Sequence, residues 1–367
     1  MRLAVCLLMS LLRPLNSLLR PLRAVSPASR LFSEKRKPER LQSWRRKSRQ
    51  HPLDRDPRTR DSEVIDLSDA EEGLVVERQG DRLLVEVAGG PDQTELLTCV
   101  QRASLETAGI VVGDRVYFRR LDDVTKEGLA IGYKERKSIL ARPLSSNPNA
   151  MQFKQIASNV DHMVVVVACK PTVPPITIDR YLVVAEVMNM RATIVVNKCD
   201  LDCSKALQEQ LLHYPGLGYR VLQASHNGDG LDELKECLED STSIFVGQSG
   251  VGKSSLINAI LPDVSIRVGD LTTKLQVGSH TTSNARLYHL PFGGDLIDSP
   301  GIREFGLWHL DDESIKRGFK EINQASKSCK FRNCRHTESE IGCAVRKNLN
   351  EGLISMARLR HYFELVK

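Results

Sequence analysis

The sequence predicts a multidomain protein with a small β-barrel, a doubly wound α/β domain and a short α-helical domain, in that order. Three observations carry this prediction. Short alternating apolar runs bounded by turn residues occur between residues 73 and 133, continuous apolar strands alternate with helix-like runs from 160 to 298, and residues 311–367 have a helical pattern. A chain of 367 residues is long enough for two or three domains of ordinary size.

The N-terminus differs in composition from the rest of the chain. Residues 1–33 contain many Leu and several Arg but no acidic residue, which is typical of an organelle transit peptide. Arg30-Leu31-Phe32-Ser33 also resembles a matrix-processing site with cleavage after Phe32. We predict a transit peptide over 1–33 and a mitochondrial matrix location. A plastid transit peptide, a secretory signal over residues 3–12 and a bacterial cytoplasmic protein with an overlong start are the alternatives.

Residues 34–70 are predicted to be a basic disordered linker. Lys35–Arg49 is dense in basic residues around Trp44, and an Asp/Ser-rich stretch with two Pro follows. Such a run neutralises phosphates, and Trp44 can stack on a base, so an RNA-contacting tail and a merely solvated linker both stay open. The net charge of +6 and the pI near 8.8 are compatible with nucleic acid. No apolar run reaches the length of a membrane span.

Residues 71–143 are predicted to form an antiparallel β-barrel. Short turn-bounded runs begin at Gly73, Arg82, Asp114 and Gly128, and five strands of this kind would make an OB-fold, a frequent oligonucleotide binder. Charged residues on barrel faces more often only keep the protein in solution. The candidates for RNA contact are Arg102, Arg115, Arg119 and Arg120.

The α/β domain, predicted over 150–310, contains a phosphate-binding loop. A short apolar strand from Ser243 to Val246 leads into a match to G-x-x-x-x-G-K-[ST], and an amphipathic run from Lys253 to Ile260 follows. Backbone N–H groups and the helix N-terminus can hold phosphates there. We expect Lys253 to reach the β- and γ-phosphates and Ser254 to bind Mg²⁺. The predicted nucleotide-binding residues here are Gly247, Gln248, Ser249, Gly250, Val251, Gly252, Lys253, Ser254 and Ser255.

A second motif indicates that the base is guanine. The strand from Ala192 to Val196 runs into the Asn-Lys-x-Asp motif Asn197-Lys198-Cys199-Asp200. The Asp200 carboxylate can accept from both N1–H and the N2 amine of guanine, groups that adenine lacks. A later strand ends in Ala224-Ser225, which resembles the Ser-Ala-Lys loop behind the base in GTPases, although Ala224 departs from the usual Ser.

The remaining parts of a GTP site follow the phosphate loop. Asp298-Ser299-Pro300-Gly301 matches D-x-x-G, where Asp298 would bind Mg²⁺ through water and the Gly301 N–H would contact the γ-phosphate. Thr282, with Thr281 as the alternative, would be the switch threonine. The order is unusual, because the guanine motif precedes the phosphate loop instead of following D-x-x-G.

The last segment, residues 311–367, has metal-ligand spacing. Cys329, Cys334, His336 and Cys343 supply three thiolates and one imidazole within fifteen residues, which suits tetrahedral Zn²⁺. A segment this short has little core of its own, so zinc would supply folding energy. A purely redox role for these cysteines is the alternative. Nine Cys in such a chain do not suggest a disulfide scaffold, and we predict a reducing compartment.

The permuted order, with Gly-Gln-Ser-Gly-Val-Gly-Lys-Ser-Ser and the run from Arg303 to Leu310, resembles the RsgA or YjeQ family of circularly permuted GTPases that act in small-ribosomal-subunit maturation. The resemblance spans about residues 70 to 363. It implies a barrel before the GTPase domain and a zinc-binding helical domain after it, and this chain would be an organellar form. The family spacing has one residue fewer between His336 and Cys343, so the loop between them departs from the pattern.

The resemblance also bears on catalysis. Many GTPases place a water-orienting Gln after the Gly of D-x-x-G, but Ile302 occupies that position here. His280, beside the switch threonines, is the predicted replacement, together with Thr282 and Lys253 as catalytic residues. A His that only packs in the switch loop is the other reading.

We therefore expect a monomeric GTPase that hydrolyses GTP with Mg²⁺, carries one structural Zn²⁺ and binds the small ribosomal subunit and its rRNA. One alternative is an RNA-binding zinc protein that holds GTP as a structural ligand with negligible turnover. The other is a small-molecule kinase that uses the same phosphate loop.

Overall fold

The computed structural model describes residues 67–90, 93–102, 109–143, 153–199, 201, 203–262, 285–298 and 310–366. The predicted transit peptide and nearly all of the predicted linker lie outside the described residues. None of the helices in the described ranges is long and apolar enough to cross a membrane.

The first five strands form a closed barrel around an apolar core that includes Leu83, Val85, Leu97 and Phe118. Four of the strand pairs are antiparallel, and β3 and β5 are parallel. A ring with an odd number of strands requires at least one parallel pair, so the fully antiparallel prediction was wrong there. The predicted five-strand barrel is confirmed. The strands are β1 (Glu71–Gln79), β2 (Arg82–Gly90), β3 (Gln93–Gln101), β4 (Arg115–Asp122) and β5 (Glu127–Tyr133).

A two-stranded antiparallel pair links the barrel to the α/β domain. It consists of β6 (Ile139–Pro143) and β7 (Phe153–Ser158). Leu140 of β6 and Ala157 of β7 are buried in the same apolar core as Ile244 and Ile297 of the α/β domain. The barrel side of the molecule is therefore packed against the α/β domain, in addition to being connected by the chain.

The α/β domain has a parallel sheet in the order β10-β9-β8-β11-β13. Every residue of β8 is buried, as expected for a strand that has helices on both faces of its sheet. The strands are β8 (His162–Ala168), β9 (Arg191–Asn197), β10 (Arg220–Gln223), β11 (Thr242–Val246) and β13 (Asp295–Asp298), and the helices are α1 (Pro175–Val187), α2 (Lys205–Leu211), α3 (Leu231–Leu238) and α4 (Lys253–Ile260).

One strand breaks the predicted alternation of strands and helices. The short strand β12 (Arg286–His289) pairs antiparallel with β13, because a tight turn at Gly293 and Gly294 connects the two. Its other edge pairs with β1 of the barrel, where Glu77 is the partner of Arg286. A single sheet thus continues from the barrel into the α/β domain.

Four helices follow at the C-terminus, and they pack directly on α1. Their apolar core includes Phe319, Ile322 and Leu359, together with Val183 from α1. Gly318 is required at the contact, because a Cβ there would lie 2.6 Å from Val183 Cγ1. The helices are α5 (Asp312–Gly318), α6 (Lys320–Ser326), α7 (Ala344–Asn350) and α8 (Met356–Leu365).

Buried charged side chains also connect α1 to the C-terminal helices. Asp179 of α1 is fully buried, and its Oδ1 lies 2.8 Å from Arg358 Nη1 of α8. Arg358 donates through Nε and Nη2 to Glu321 at 2.7 and 3.1 Å, while His361 and Tyr214 hydrogen-bond the Asp179 carboxylate. Burial raises the pKa of Asp179, but Arg358 and these hydrogen bonds outweigh burial, so its pKa is below its ordinary value.

The structure contains a cysteine pair that the sequence analysis did not predict. Cys169 and Cys203 are joined by a disulfide, the one such bond among the described residues. The spacing of 34 positions carries no sequence signal for pairing, because the contact arises only when β8 and β9 lie side by side.

A candidate nucleotide site and a cysteine cluster

The candidate nucleotide site lies at one edge of the parallel sheet. The carboxyl ends of β8, β9, β11 and β13 meet at this edge, because the strands run in the same direction and are hydrogen-bonded neighbours. The phosphate loop leaves β11, the guanine motif leaves β9, and Asp298 ends β13. In open α/β sheets this edge is where ligands bind.

The phosphate loop needs its glycines for conformation and for space. Gly247, Gly250 and Gly252 all have positive φ, at 146°, 83° and 94°. A Cβ on Gly247 would lie 2.3 Å from Val166 O, and one on Gly252 would lie 2.2 Å from Asn197 Nδ2. Side chains are therefore disfavoured at all three positions by the backbone conformation, and at Gly247 and Gly252 they are also excluded by the neighbouring strands.

Lys253 begins α4, and the predicted helix from Lys253 to Ile260 is found with the same bounds. Its ammonium donates to the carbonyls of Gly247 and Gln248 at 2.7 and 2.8 Å. The charge thus lies inside the turn of the loop, where an anionic phosphate would be bound. Ser249 is exposed, and Ser254 and Ser255 on the first turn of α4 are half-buried.

The guanine motif touches the phosphate loop. Asn197, which is 1% exposed, donates through Nδ2 to Val251 O at 2.9 Å and accepts from the Lys198 N–H at 2.8 Å. Lys198 Nζ donates to Gly250 O at 2.7 Å. Cys199 follows with an exposed side chain. Side chains of the guanine motif therefore hold this motif against the phosphate loop.

The loop after β10 borders the guanine motif. Ala224 is buried, and its N–H donates to Val196 O at 3.1 Å. Ser225 accepts from Gly228 N and donates to Asp229 O, which closes a compact turn. The structure thus places Ala224 and Ser225 beside the strand that carries Asn197, as the sequence indicates.

Several predicted site residues lie outside the described residues. These are Asp200, His280, Thr281, Thr282 and Gly301. The structure brings together Asn197, Lys198, the phosphate loop and Asp298 at one edge of the sheet. The roles of these residues in nucleotide binding, like those of the residues outside the described ranges, stay predictions.

Sequence reasoning missed the contribution of the segment after β8. Pro171 Cγ lies 3.6 Å from the position of a Cβ on Gly250, so this segment packs against the phosphate loop. Tyr181 of α1 is also buried there; burial raises its pKa to about 12, and a hydrogen bond from the Gly247 backbone partly offsets that rise. No sequence motif marks this segment. Its place beside the phosphate loop follows from the strand order, in which β8 is the direct neighbour of β11.

The C-terminal helices hold the cysteine cluster. The ligand atoms of Cys329, Cys334, His336 and Cys343 all lie within 4.8 Å of one another. His336 Nδ1 is 3.5 Å from Cys343 Sγ and 3.7 Å from Cys329 Sγ, and these two sulfurs are 4.0 Å apart. Ordinary Zn–S and Zn–N bonds at tetrahedral angles require about 3.6 Å between N and S and about 3.8 Å between sulfurs. The donor set therefore fits Zn²⁺.

Comparison with known proteins supports the assignment of a GTP site. The RsgA GTPase family model matches residues 133–308. A protein of Hahella chejuensis named small ribosomal subunit biogenesis GTPase RsgA is 42% identical over 304 residues, which cover 82% of this chain and 85% of that protein. The chain belongs to the RsgA GTPase family. A similarly named protein of Alcanivorax borkumensis is 42% identical over 345 residues, covering 90% of this chain and 95% of the relative.

Solved structures show the same permuted fold as this RsgA-family chain. The crystal structure of YjeQ from Thermotoga maritima matches with a TM-score of 0.63 and 31% identity, and covers 81% of this chain and 97% of that one. YloQ, described as a circularly permuted GTPase, matches with a TM-score of 0.61, 29% identity and 81% and 94% coverage. The predicted family, fold class and GTP-hydrolase class are confirmed.

Proposed function

We propose that this protein is a GTPase that binds the small ribosomal subunit and assists its late maturation, with GTP hydrolysis stimulated by the subunit and followed by release. The observation that carries the proposal is the contact of Asn197 and Lys198 with the phosphate loop at Val251 and Gly250. This contact unites a guanine motif and a triphosphate-type loop in one site. Relatives over most of the chain are named small ribosomal subunit biogenesis GTPases.

The proposed nucleotide roles combine the described position of Lys253 with the sequence motifs that contain the other residues. Lys253, whose ammonium lies within the loop, would neutralise the β- and γ-phosphates in place of its present contacts with carbonyls. Mg²⁺ would be held by Ser254 at the start of α4, by Thr282 and by Asp298 through water, because hard cations prefer oxygen ligands. Asp200 would accept from the guanine N1–H and N2 amine, and Gly301 would contact the γ-phosphate.

The C-terminal cluster would hold one structural Zn²⁺ through Cys329, Cys334, His336 and Cys343, because all four donors are close and no open position is needed for chemistry. The folded helices around it, together with the barrel, would contact rRNA. We propose that the protein is a monomer on the small subunit.

The location follows from the N-terminal composition alone. Residues 1–33 lack acidic residues and are rich in Arg and Leu, so we propose import into the mitochondrial matrix. The relatives are bacterial, which makes a bacterial cytoplasmic protein the alternative. Expression of the chain with and without residues 1–33, fused to a fluorescent protein, distinguishes these locations.

The proposed catalytic step needs a group that orients water, because Ile302 cannot do so. We propose His280 for this role, with Thr282 and Lys253 stabilising the charge that develops on the transferred phosphoryl group. In this proposal the small subunit brings His280 into position, so hydrolysis without the subunit would be slow.

A turnover assay with purified small subunits tests the function. His280→Ala should lower subunit-stimulated turnover about 10²-fold or more, the size of a general-base or positioning contribution, and leave GTP affinity nearly unchanged. His213→Ala is the matched control, because His213 is exposed and takes part in none of the contacts described for the nucleotide site. If turnover by the parent protein is negligible both with and without the subunit, GTP is a structural ligand and the RNA-binding alternative holds.

A further inference from the structure

A covalent bond joins two of the loops that form the nucleotide site. Cys169 directly follows β8, and its N–H donates to Asn197 O at 3.4 Å. Cys203 lies just before α2, whose N-cap is Ser204. The Cys169–Cys203 disulfide therefore ties the end of β8 to the segment that follows the guanine motif.

Both of the tied loops touch the phosphate loop. The segment after Cys169 reaches it through Pro171, which packs at Gly250. The guanine motif reaches it through Asn197 Nδ2 on Val251 O and Lys198 Nζ on Gly250 O. With the disulfide, the segment after β8, the segment of the guanine motif and the phosphate loop are each bonded to, or packed against, the other two.

The two sulfurs differ in access. Cys169 is 2% exposed and packs in the main apolar core, whereas Cys203 is half-buried at the edge of that core. An external reagent can reach Cys203 first, and Cys169 is then the neighbouring thiol that resolves the product. Disulfides in reducing compartments are mostly transient and redox-sensing, because the glutathione pool keeps other thiols reduced.

We propose that Cys169 and Cys203 are a thiol–disulfide switch of the guanine-binding loop, which closes by exchange with a low-molecular-weight disulfide such as oxidised glutathione. The Cys203 thiolate attacks one glutathione sulfur, breaks the glutathione S–S bond and releases one glutathione. The Cys169 thiolate then attacks the Cys203 sulfur and releases the second glutathione. Two protein thiols are oxidised, and one glutathione disulfide is reduced to two thiols.

The closed switch slows the release of guanine nucleotide. With the bond formed, Cys203 is joined covalently to Cys169 at the end of β8, and Asn197 is held by its buried side chain. In the reduced protein Cys203 keeps the hydrogen bond from Gln208 Nε2 to its carbonyl at 3.3 Å and its packing at the edge of the core, but its covalent link to β8 is lost. Pre-organisation of a binding loop lowers the entropy cost of binding, and differences of this kind appear mainly in the dissociation rate.

This inference deepens the proposed GTP site, and its test uses the full chain with a fluorescent GDP analogue. The dissociation rate is measured after equilibration with reduced or with oxidised glutathione, at constant zinc content, because oxidation of the cysteine cluster would confound the result. We expect oxidation to slow dissociation about threefold or more. Peptide mapping should show Cys169 joined to Cys203 with the loss of two hydrogen atoms.

Cys203→Ser and Cys169→Ala are two independent controls, and either one that folds is sufficient. Each should dissociate at the parent's reduced rate and lose the response to oxidised glutathione. Equal parent rates in the two buffers, a response that survives in the folded variants, or mapping without this bond would each overturn the switch. Failure of the reduced parent to bind GDP would instead overturn the proposed nucleotide site, so the two failures are distinct.

Discussion

Charged groups lie in opposite environments at the two places where the barrel and the C-terminal helices contact the α/β domain. At the barrel contact, His289 of β12 is half-exposed and bridges Glu86 of the barrel and Asp295, at 2.9 and 2.7 Å. At the helical contact, Arg358 and Asp179 are 2% and 0% exposed. The barrel contact therefore has charges at a solvated rim, and the helical contact has them inside the core.

The difference has consequences for stability. An exposed ion pair contributes about 0–1 kcal/mol, because water and salt screen it. Removal of one partner of a buried pair costs about 3–5 kcal/mol, because the other charge is left without compensation. The barrel is thus attached mainly by its continuous sheet and apolar packing, while the C-terminal helices are attached by charges that must be matched.

The largest expected effect comes from removing one ligand of the Zn²⁺ that we propose for the C-terminal helices. Cys334→Ala should abolish zinc binding and unfold α5–α8, because structural zinc supplies about 10–16 kcal/mol of folding energy in small domains. GDP binding should survive, since the nucleotide site lies on β8–β13. Metal analysis, circular dichroism and GDP titration together measure this.

A buried thiol outside the cluster serves as the control for that change. Cys237→Ala in α3 should keep one zinc per chain and near-parent helix content. The prediction is wrong if the parent protein itself holds much less than one zinc, or if Cys334→Ala retains the metal.

The second effect isolates the buried charges while the zinc stays in place. Arg358→Ala should lower the free energy of unfolding by about 3–5 kcal/mol, because Asp179 and Glu321 lose their common cation. Arg360→Ala, on the exposed face of the same helix, should change it by about 0.5 kcal/mol or less. Urea unfolding followed by circular dichroism measures both. Equal losses in the two variants would contradict the role given to the buried pair.

The smallest effect belongs to the barrel contact and depends on pH. Hydrogen bonding to Asp295, opposed by burial and supported by Glu86, raises the pKa of His289 from 6.5 to about 9. A raised folded-state pKa means that this stabilisation is fully present below pH 6.5 and is lost as the pH rises through about 9. Because the ring is half-exposed, the contribution should be about 1 kcal/mol or less.

Comparison of unfolding free energies measures that contribution. The parent should exceed His289→Gln at pH 6.5, and the gap should close near pH 9. A gap that persists unchanged above this pH would show that packing of the imidazole ring, and not its charge, stabilises the contact.

Local pattern predicted the elements whose shape depends on nearby residues. The strand–loop–helix around Gly247–Ser254 was predicted well because glycine conformation and helix start are local properties. The strand β12 was missed because four residues of mixed polarity are stabilised only by β13 and β1 on either side.

Long-range pairs were beyond prediction for the same physical reason. Arg358 has the sequence context of a solvated helix residue, and only the position of Asp179 on a distant helix explains its burial. The Cys169–Cys203 bond likewise depends on strand order. The cysteine cluster of Cys329, Cys334, His336 and Cys343 was predicted because the spacing of these residues within one short segment is itself the signal.

Because the chain is synthesised from its N-terminus, the buried carboxylate of Asp179 is made well before its partners on α8. Asp179 leaves the ribosome 182 positions before His361, one of its partners on α8. At 5–20 residues per second this is a wait of about 9–36 s. During that time the Asp179 carboxylate lacks its cationic partner on α8. The carboxylate is then more stable in water than buried, so this face of α1 stays hydrated. The face of α1 around Asp179 can therefore be covered only when the last helix has been translated, so a prematurely terminated chain would present this face to proteases.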